Sequence, residues 1–155
     1  LTHEGENFHA KCDNKGPTVI VAKLGSGKVI GGYAGVSWTS SGGSTRSLNS
    51  FLFSLTNGYR HALIDGEEDK ALYDLTNPVF GDAHDLVFHH NMATGNCNPG
   101  KTYACRVGGS DTECQEDFCG ARSQFVVDEL EVWYHCEGDD CAAVEEAGGE
   151  SGEEC

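Results

Sequence analysis

Eight cysteines carry the most reactive side chains of this sequence: Cys12, Cys97, Cys105, Cys114, Cys119, Cys136, Cys141 and Cys155. An even number in a chain of 155 residues, with no Cys-x-x-Cys pair among them, reads as a disulfide framework made in an oxidising compartment. A structural zinc ribbon needs matched close pairs, and an activated thiol needs a basic or polar setting that no Cys here displays. Short-range closure suggests Cys97 with Cys105, Cys114 with Cys119 and Cys136 with Cys141, which leaves Cys12 for Cys155. Connectivity stays open, because spatial proximity and not spacing decides it.

Carboxylates offer the second chemistry. Asp111, Glu113, Glu116 and Asp117 crowd an interval bracketed by Cys105 and Cys119, and Glu137, Asp139 and Asp140 fall between Cys136 and Cys141. A cross-linked loop rich in oxygen donors suits Ca²⁺, although neither interval follows the EF-hand pattern. Calcium is therefore the candidate cofactor, and a solvated acidic face is the plainer alternative.

The histidines suggest less. His84 beside Asp85 has the form of an orienting pair for acid/base work, with His89, His90 and Glu131 as neighbours, but the same residues serve a structural turn equally well. His89 and His90 are consecutive in an extended segment, so their rings project to opposite faces and do not share one metal. No nucleophile elbow accompanies them. Tyr33, Trp38, Tyr59 and Trp133 form a stacking surface if exposed and a core if not, with Tyr59 the one expected at the surface.

The formal net charge of −15 argues against nucleic acid, whose binding needs basic residues to displace counterions. The imbalance is local: from Asp128 to Cys155 there is no Lys or Arg. No run of apolar residues is long enough to span a bilayer, so membrane insertion is not expected. No leader is recognised at Leu1, and its removal before this point fits a secreted protein. No Asn-x-Ser/Thr sequon occurs.

These groups need a scaffold, and the sequence reads as mainly β with a few short helices. Thr18 to Leu24 and Val29 to Tyr33 flank a Gly-rich turn and form a hairpin, as do Phe51 to Asn57 and Tyr59 to Ile64 about Asn57-Gly58. Further strands are expected at Lys70 to Leu75, Asp85 to His90, Lys101 to Arg106 and Phe125 to Cys136, the last broken near Asp128. Its residues Leu130, Val132 and Tyr134 alternate with Glu131, Trp133 and His135, and Trp133 suggests cover on both faces. Helix is confined to Asn7 to Cys12 and Ala142 to Ala147. The loops Ser40 to Arg46, Asn91 to Thr102 and Asp111 to Arg122 are left to meet a partner. Many short strands with Gly-rich turns predict a two-sheet antiparallel β-sandwich.

The same strands carry a family resemblance. Cys12-Asp13-Asn14-Lys15-Gly16-Pro17-Thr18, Ile30-Gly31-Gly32-Tyr33, Val36-Ser37-Trp38 and Ser50-Phe51-Leu52-Phe53-Ser54-Leu55-Thr56-Asn57 come first. Pro78-Val79-Phe80-Gly81, His84-Asp85-Leu86 and Phe125 to Trp133 follow in order. Over residues 7 to 135 this resembles the TLDc (TBC/LysM-associated) domain family in a protist-like form with additional cysteines. The resemblance implies a TLDc-type β-sandwich over 1–141, without the family's usual N-terminal helical portion, and an acidic Gly/Glu-rich tail over 142–155. It makes Gly31, Gly32, Trp38, Phe51, Phe53, His84, Asp85, Glu131 and Trp133 structural residues. It also brings associations with oxidative-stress resistance and, in intracellular members, with the rotary proton-pumping ATPase, but no catalytic mechanism. The chain departs from the pattern at Gly81-Asp82-Ala83 and in its cysteines.

Taken together, the sequence predicts a secreted, non-enzymatic module that presents loops to a protein or glycan partner, or to other copies, in an extracellular assembly. A calcium-dependent binding module and an oxidative-stress protein with redox-active cysteines are the alternatives.

Overall fold

The computed structural model of the protein describes residues 7–135 and 152–155. Helix α1 (Asn7–Cys12) leads into the hairpin β1 (Thr18–Leu24) and β2 (Val29–Ala34). A short β3 (Ser44–Thr45) lies in the polar loop, and β4 (Phe51–Ser54) and β5 (Tyr59–Ala62) form the second hairpin. β6 (Leu72–Asp74), β7 (Pro78–Phe80), β8 (Leu86–Phe88) and β9 (Thr94–Cys97) run as a meander. Helix α2 (Asp111–Cys119) precedes the long β10 (Gln124–His135), and β11 (Gly152–Glu154) ends the fold.

The expected pair of separate sheets is not found. The strands join into one continuous open sheet in the order β3-β6-β7-β8-β9-β10-β1-β2-β4-β5, with β11 added alongside β10. The cause is the length of β10. Gln124 to Val126 pair with β9, whereas Val127 to Tyr134 pair with β1, so one strand belongs to both arms and closes the gap between them.

A bulge sits at the changeover. Leu24 faces Val127 while Lys23 faces Glu129, leaving Asp128 as the extra residue. Phe125 and Val127 are buried before it, and Val132 after it, so the inward parity switches from odd to even. Glu131, Trp133 and His135 consequently face solvent, and Trp133 is 40% exposed. The expectation that this strand is covered on both faces is thereby corrected.

The core lies where the two arms meet. Trp38 is fully buried, packs edge-on against Phe8 and Phe80, and donates its indole N–H to Thr18 Oγ1 at 2.8 Å. The Gly31-Gly32 pair shows how close the layers come. A Cβ at Gly32 would lie 2.5 Å from the Phe80 ring inside, and one at Gly31 would lie 2.4 Å from the Phe53 ring outside. Successive residues of a strand point to opposite faces, so each glycine accommodates a different phenylalanine.

Three disulfides tie the described residues: Cys12–Cys155, Cys97–Cys119 and Cys105–Cys114. Short-range closure gave the wrong partners to Cys97, Cys105, Cys114 and Cys119. Cys114 and Cys119 lie at different levels of one helix, and their partners, Cys105 and Cys97, come from two separate segments that precede it in the chain. Cys136 and Cys141 lie outside the described residues, as do the expected helix 142–147 and the boundary at 141. β11 pairs with Trp133 to His135, and Cys155 donates its N–H to the Val132 carbonyl at 2.9 Å.

The segment from Lys101 to Arg106 is not a ladder strand. It makes one antiparallel bridge, Leu63 to Tyr103, because the amides of Lys101, Thr102 and Tyr103 are taken by a carboxylate.

Candidate functional site

Helix α2 is the element on which the sequence-predicted acids stand, and local chemistry explains why it forms. The Ser110 hydroxyl accepts from the Glu113 amide while the Glu113 carboxylate accepts from the Ser110 amide, a capping box, and Gly120 closes the far end in a left-handed conformation. Its last carbonyls are held by the two hairpin turns. Lys28 Nζ and Asn57 Nδ2 each donate to the Asp117 carbonyl at 2.8 Å, and Ser26 Oγ donates to the Cys119 carbonyl at 3.0 Å. A carbonyl-rich helix end is favourably met by a cation.

The proposed calcium ligands are not a loop, and the helix disperses them. Asp111 pairs with Lys101 at 2.9 Å, Glu113 caps Ser110, Glu116 pairs with Arg122 at 2.5 Å, and Asp117 accepts from Arg106 Nε at 3.0 Å. Hydrogen bonding to Arg106 holds the Asp117 carboxyl below its usual range, and the Ser110 amide and hydroxyl do the same for Glu113. Glu137, Asp139 and Asp140 lie outside the described residues. Among the described residues no group of three or more His, Cys, Asp or Glu is placed to hold a metal ion.

His84 and Asp85 part company. His84 is exposed in a left-handed turn (φ 62°), with its ring edge-on to Tyr73. Asp85 is fully buried and accepts from the amides of Lys101, Thr102 and Tyr103 at 3.0–3.1 Å. Burial pushes its carboxyl upward, and those amides pull against that shift. Gly81 keeps φ 80°, and a Cβ there would meet Asp85 Oδ1 at 2.4 Å. Asp85 is thus an anchor for the 101–103 segment. Glu131 stands on the other arm of the sheet and accepts the Trp133 indole N–H at 3.0 Å.

A groove opens on the outer face of β6 to β9. Cross-strand neighbours Val79 and Val87 make its floor. Asn77, Asn96, Asn98 and Gln115 supply carboxamides around it, and His84 and His89 stand at its margin. The groove has a volume of about 530 Å³. Its lining contains no Asp, Glu, Lys or Arg, a neutral strip in a chain of net charge −15. Two contacts organise the walls: Gln115 Nε2 donates to Asn98 Oδ1 at 3.2 Å, and Asn77 Nδ2 donates to the Phe88 carbonyl. Cys97–Cys119 ties the β9 side of the groove to the end of α2.

Leu75, exposed at the rim, also borders a second hollow with His9, Ser40, Asp74 and His90. His89 lines the first and His90 the second, as their consecutive positions require. Buried Asp74 pins the polar loop, accepting from the hydroxyls of Thr39 at 2.9 Å and Thr45 at 2.8 Å.

Among the described residues the buried histidine is His61, which the sequence offered only as a partner for His89 or His90 in a transition-metal site. His61 lies between the rings of Tyr59 and Phe118 and bonds through Nδ1 to the Ala104 carbonyl at 2.8 Å. Burial keeps its pKa below the ordinary histidine value. The groove carboxamides were missed. They come from three separate segments and form no motif.

No curated protein matches the chain. The family model described as the TLDc domain spans residues 3–135, taking in every element from α1 through β10, and the chain belongs to that family.

Proposed function

We propose that this TLDc domain is a secreted, non-catalytic binding module whose groove on β6 to β9 takes an extended, uncharged protein segment in an extracellular assembly. The groove's composition carries the reading. Carboxamides both donate and accept hydrogen bonds, which matches a peptide backbone, and the Val79–Val87 floor receives apolar side chains. The rigid walls lower the ordering cost of binding.

The sulfurs support the extracellular setting. Five of the six bridged cysteines are buried, and among the described residues none is free, which favours an inert framework over redox-active protection. The non-catalytic reading is supported by the full engagement of Asp85 with backbone amides, which leaves His84 without an orienting carboxylate.

An array of uncharged extended peptides, followed by calorimetry on the peptides retained, tests the reading. Asn98→Ala and Gln115→Ala are expected to weaken capture about tenfold each, while Leu48→Ser, at an exposed position outside the groove lining, leaves it unchanged. Capture insensitive to both groove substitutions would reject this site. Native alkylation that labels Cys97 or Cys119 would reject the framework.

A further inference from the structure

The outer face of the other arm carries a row of apolar side chains that the core does not use. Trp133, Val19, Tyr33 and Phe51 are directly opposite one another across β10, β1, β2 and β4, so they share one face. Trp133 is 40% exposed and the other three are half-buried. The neighbouring position in β2 is Gly31, and the Phe53 ring lies over it. Two contacts fix the platform: Glu131 accepts the Trp133 indole N–H at 3.0 Å, and the Arg60 guanidinium sits 4.1 Å from the Phe51 ring centre.

We infer that this aromatic platform is a binding surface for a neutral polysaccharide. Charge selects the occupant. The platform carries charges of both signs, with Glu131, and Glu154 opposite Trp133, near one end, Arg60 at the other, and the Lys23–Glu129 pair (3.1 Å) at its margin. A second copy of the chain would bring two bodies of net charge −15 together, and an acidic glycan would meet the same repulsion. A neutral sugar chain meets neither. The C–H faces of its rings stack on flat aromatic side chains, and its hydroxyls pair with a carboxylate and a guanidinium. The platform is distinct from the groove on β6 to β9 and shares with that reading only the extracellular setting.

Depletion of the intact protein from solution by microcrystalline cellulose, chitin or an insoluble β-1,3-glucan tests the inference. Wild type is expected to be depleted by at least one of them, equally at low and high salt. Trp133→Ala and Tyr33→Ala, checked for retained fold by circular dichroism, are expected to lose about tenfold or more in affinity. Asn98→Ala and Gln115→Ala should bind the polysaccharide as wild type does, which separates this surface from the groove. Wild type left in solution by all three polymers, undiminished binding of folded Trp133→Ala, or a wild-type dimer that Trp133→Ala renders monomeric would each overturn the inference.

Discussion

The ring of Phe80 in β7 rests on the backbone of Gly32 in β2, so the two arms of the sheet touch at a position with no side chain. A methyl group at residue 32 would lie 2.5 Å from that ring and force it aside. Gly32→Ala is therefore expected to lower unfolding free energy by about 1–3 kcal/mol, the usual range for overpacking. Phe80→Ala should cost about 3–5 kcal/mol by leaving a cavity. Urea denaturation of both variants measures these values. A neutral Gly32→Ala would show that the arms are less closely packed than described.

Asp85 is expected to matter through its acceptor capacity. Asp85→Asn preserves shape but turns an NH₂ group toward the amides of residues 101–103. Leaving buried donors unsatisfied should cost about 1–3 kcal/mol. Amide hydrogen exchange at Lys101, Thr102 and Tyr103 should accelerate before exchange in β1 or β2 does.

The buried histidine predicts the pH response. The folded pKa of His61 lies below its ordinary value, so the folded state favours the neutral ring. Its stabilising contribution is fully present above about pH 6.5 and is lost as pH falls from there through the depressed folded pKa. Unfolding free energy measured in urea from pH 7.5 to 5 should decline in wild type. In His61→Gln the decline should be shallower, and an unaltered slope would assign the effect to other groups.

The disulfides should rank by the loops they close. Cys12–Cys155 spans 143 residues and Cys105–Cys114 spans 9. Chain entropy then gives the former roughly 2–3 kcal/mol more stabilisation. Paired Cys→Ser variants, compared by thermal and urea unfolding, test the order. Equal losses would indicate that the native-state packing of the sulfurs dominates.

Helix α2 provides a separate check on local stability. Ser110→Ala removes the acceptor of the capping box and should cost about 0.5–2 kcal/mol. Fraying at the α2 N-terminus, followed by hydrogen exchange, should accompany the loss.

Local signals were most legible where one stretch of sequence decides the outcome. Both hairpins follow from β-branched or aromatic runs around Gly-containing turns, and the irregularity near Asp128 is the observed bulge. Helix α2 also had a local signature, Ser110 with Glu113 and Gly120, but the acids and cysteines within it gave the segment the look of a liganding loop. Strands β7 and β9 are short and contain Pro78 and Gly95, residues that depress strand propensity. The union of the two arms was hidden for another reason. It depends on β10 finding different neighbours along its length, which no alternation pattern records. The groove was least legible, since Asn77, Asn98 and Gln115 meet only through tertiary structure.

The extra residue at Asp128 acts as a phase shifter for everything downstream in its strand. Deleting it would close the bulge and leave both halves of the strand facing as they do now: Val127 would be followed directly by Glu129 opposite Lys23, with Val132 still inward and Trp133 still outward. A single-codon deletion there is thus far milder than one at any regularly paired position of the strand, which would swap the side chains the molecule offers to its surroundings for those it keeps dry.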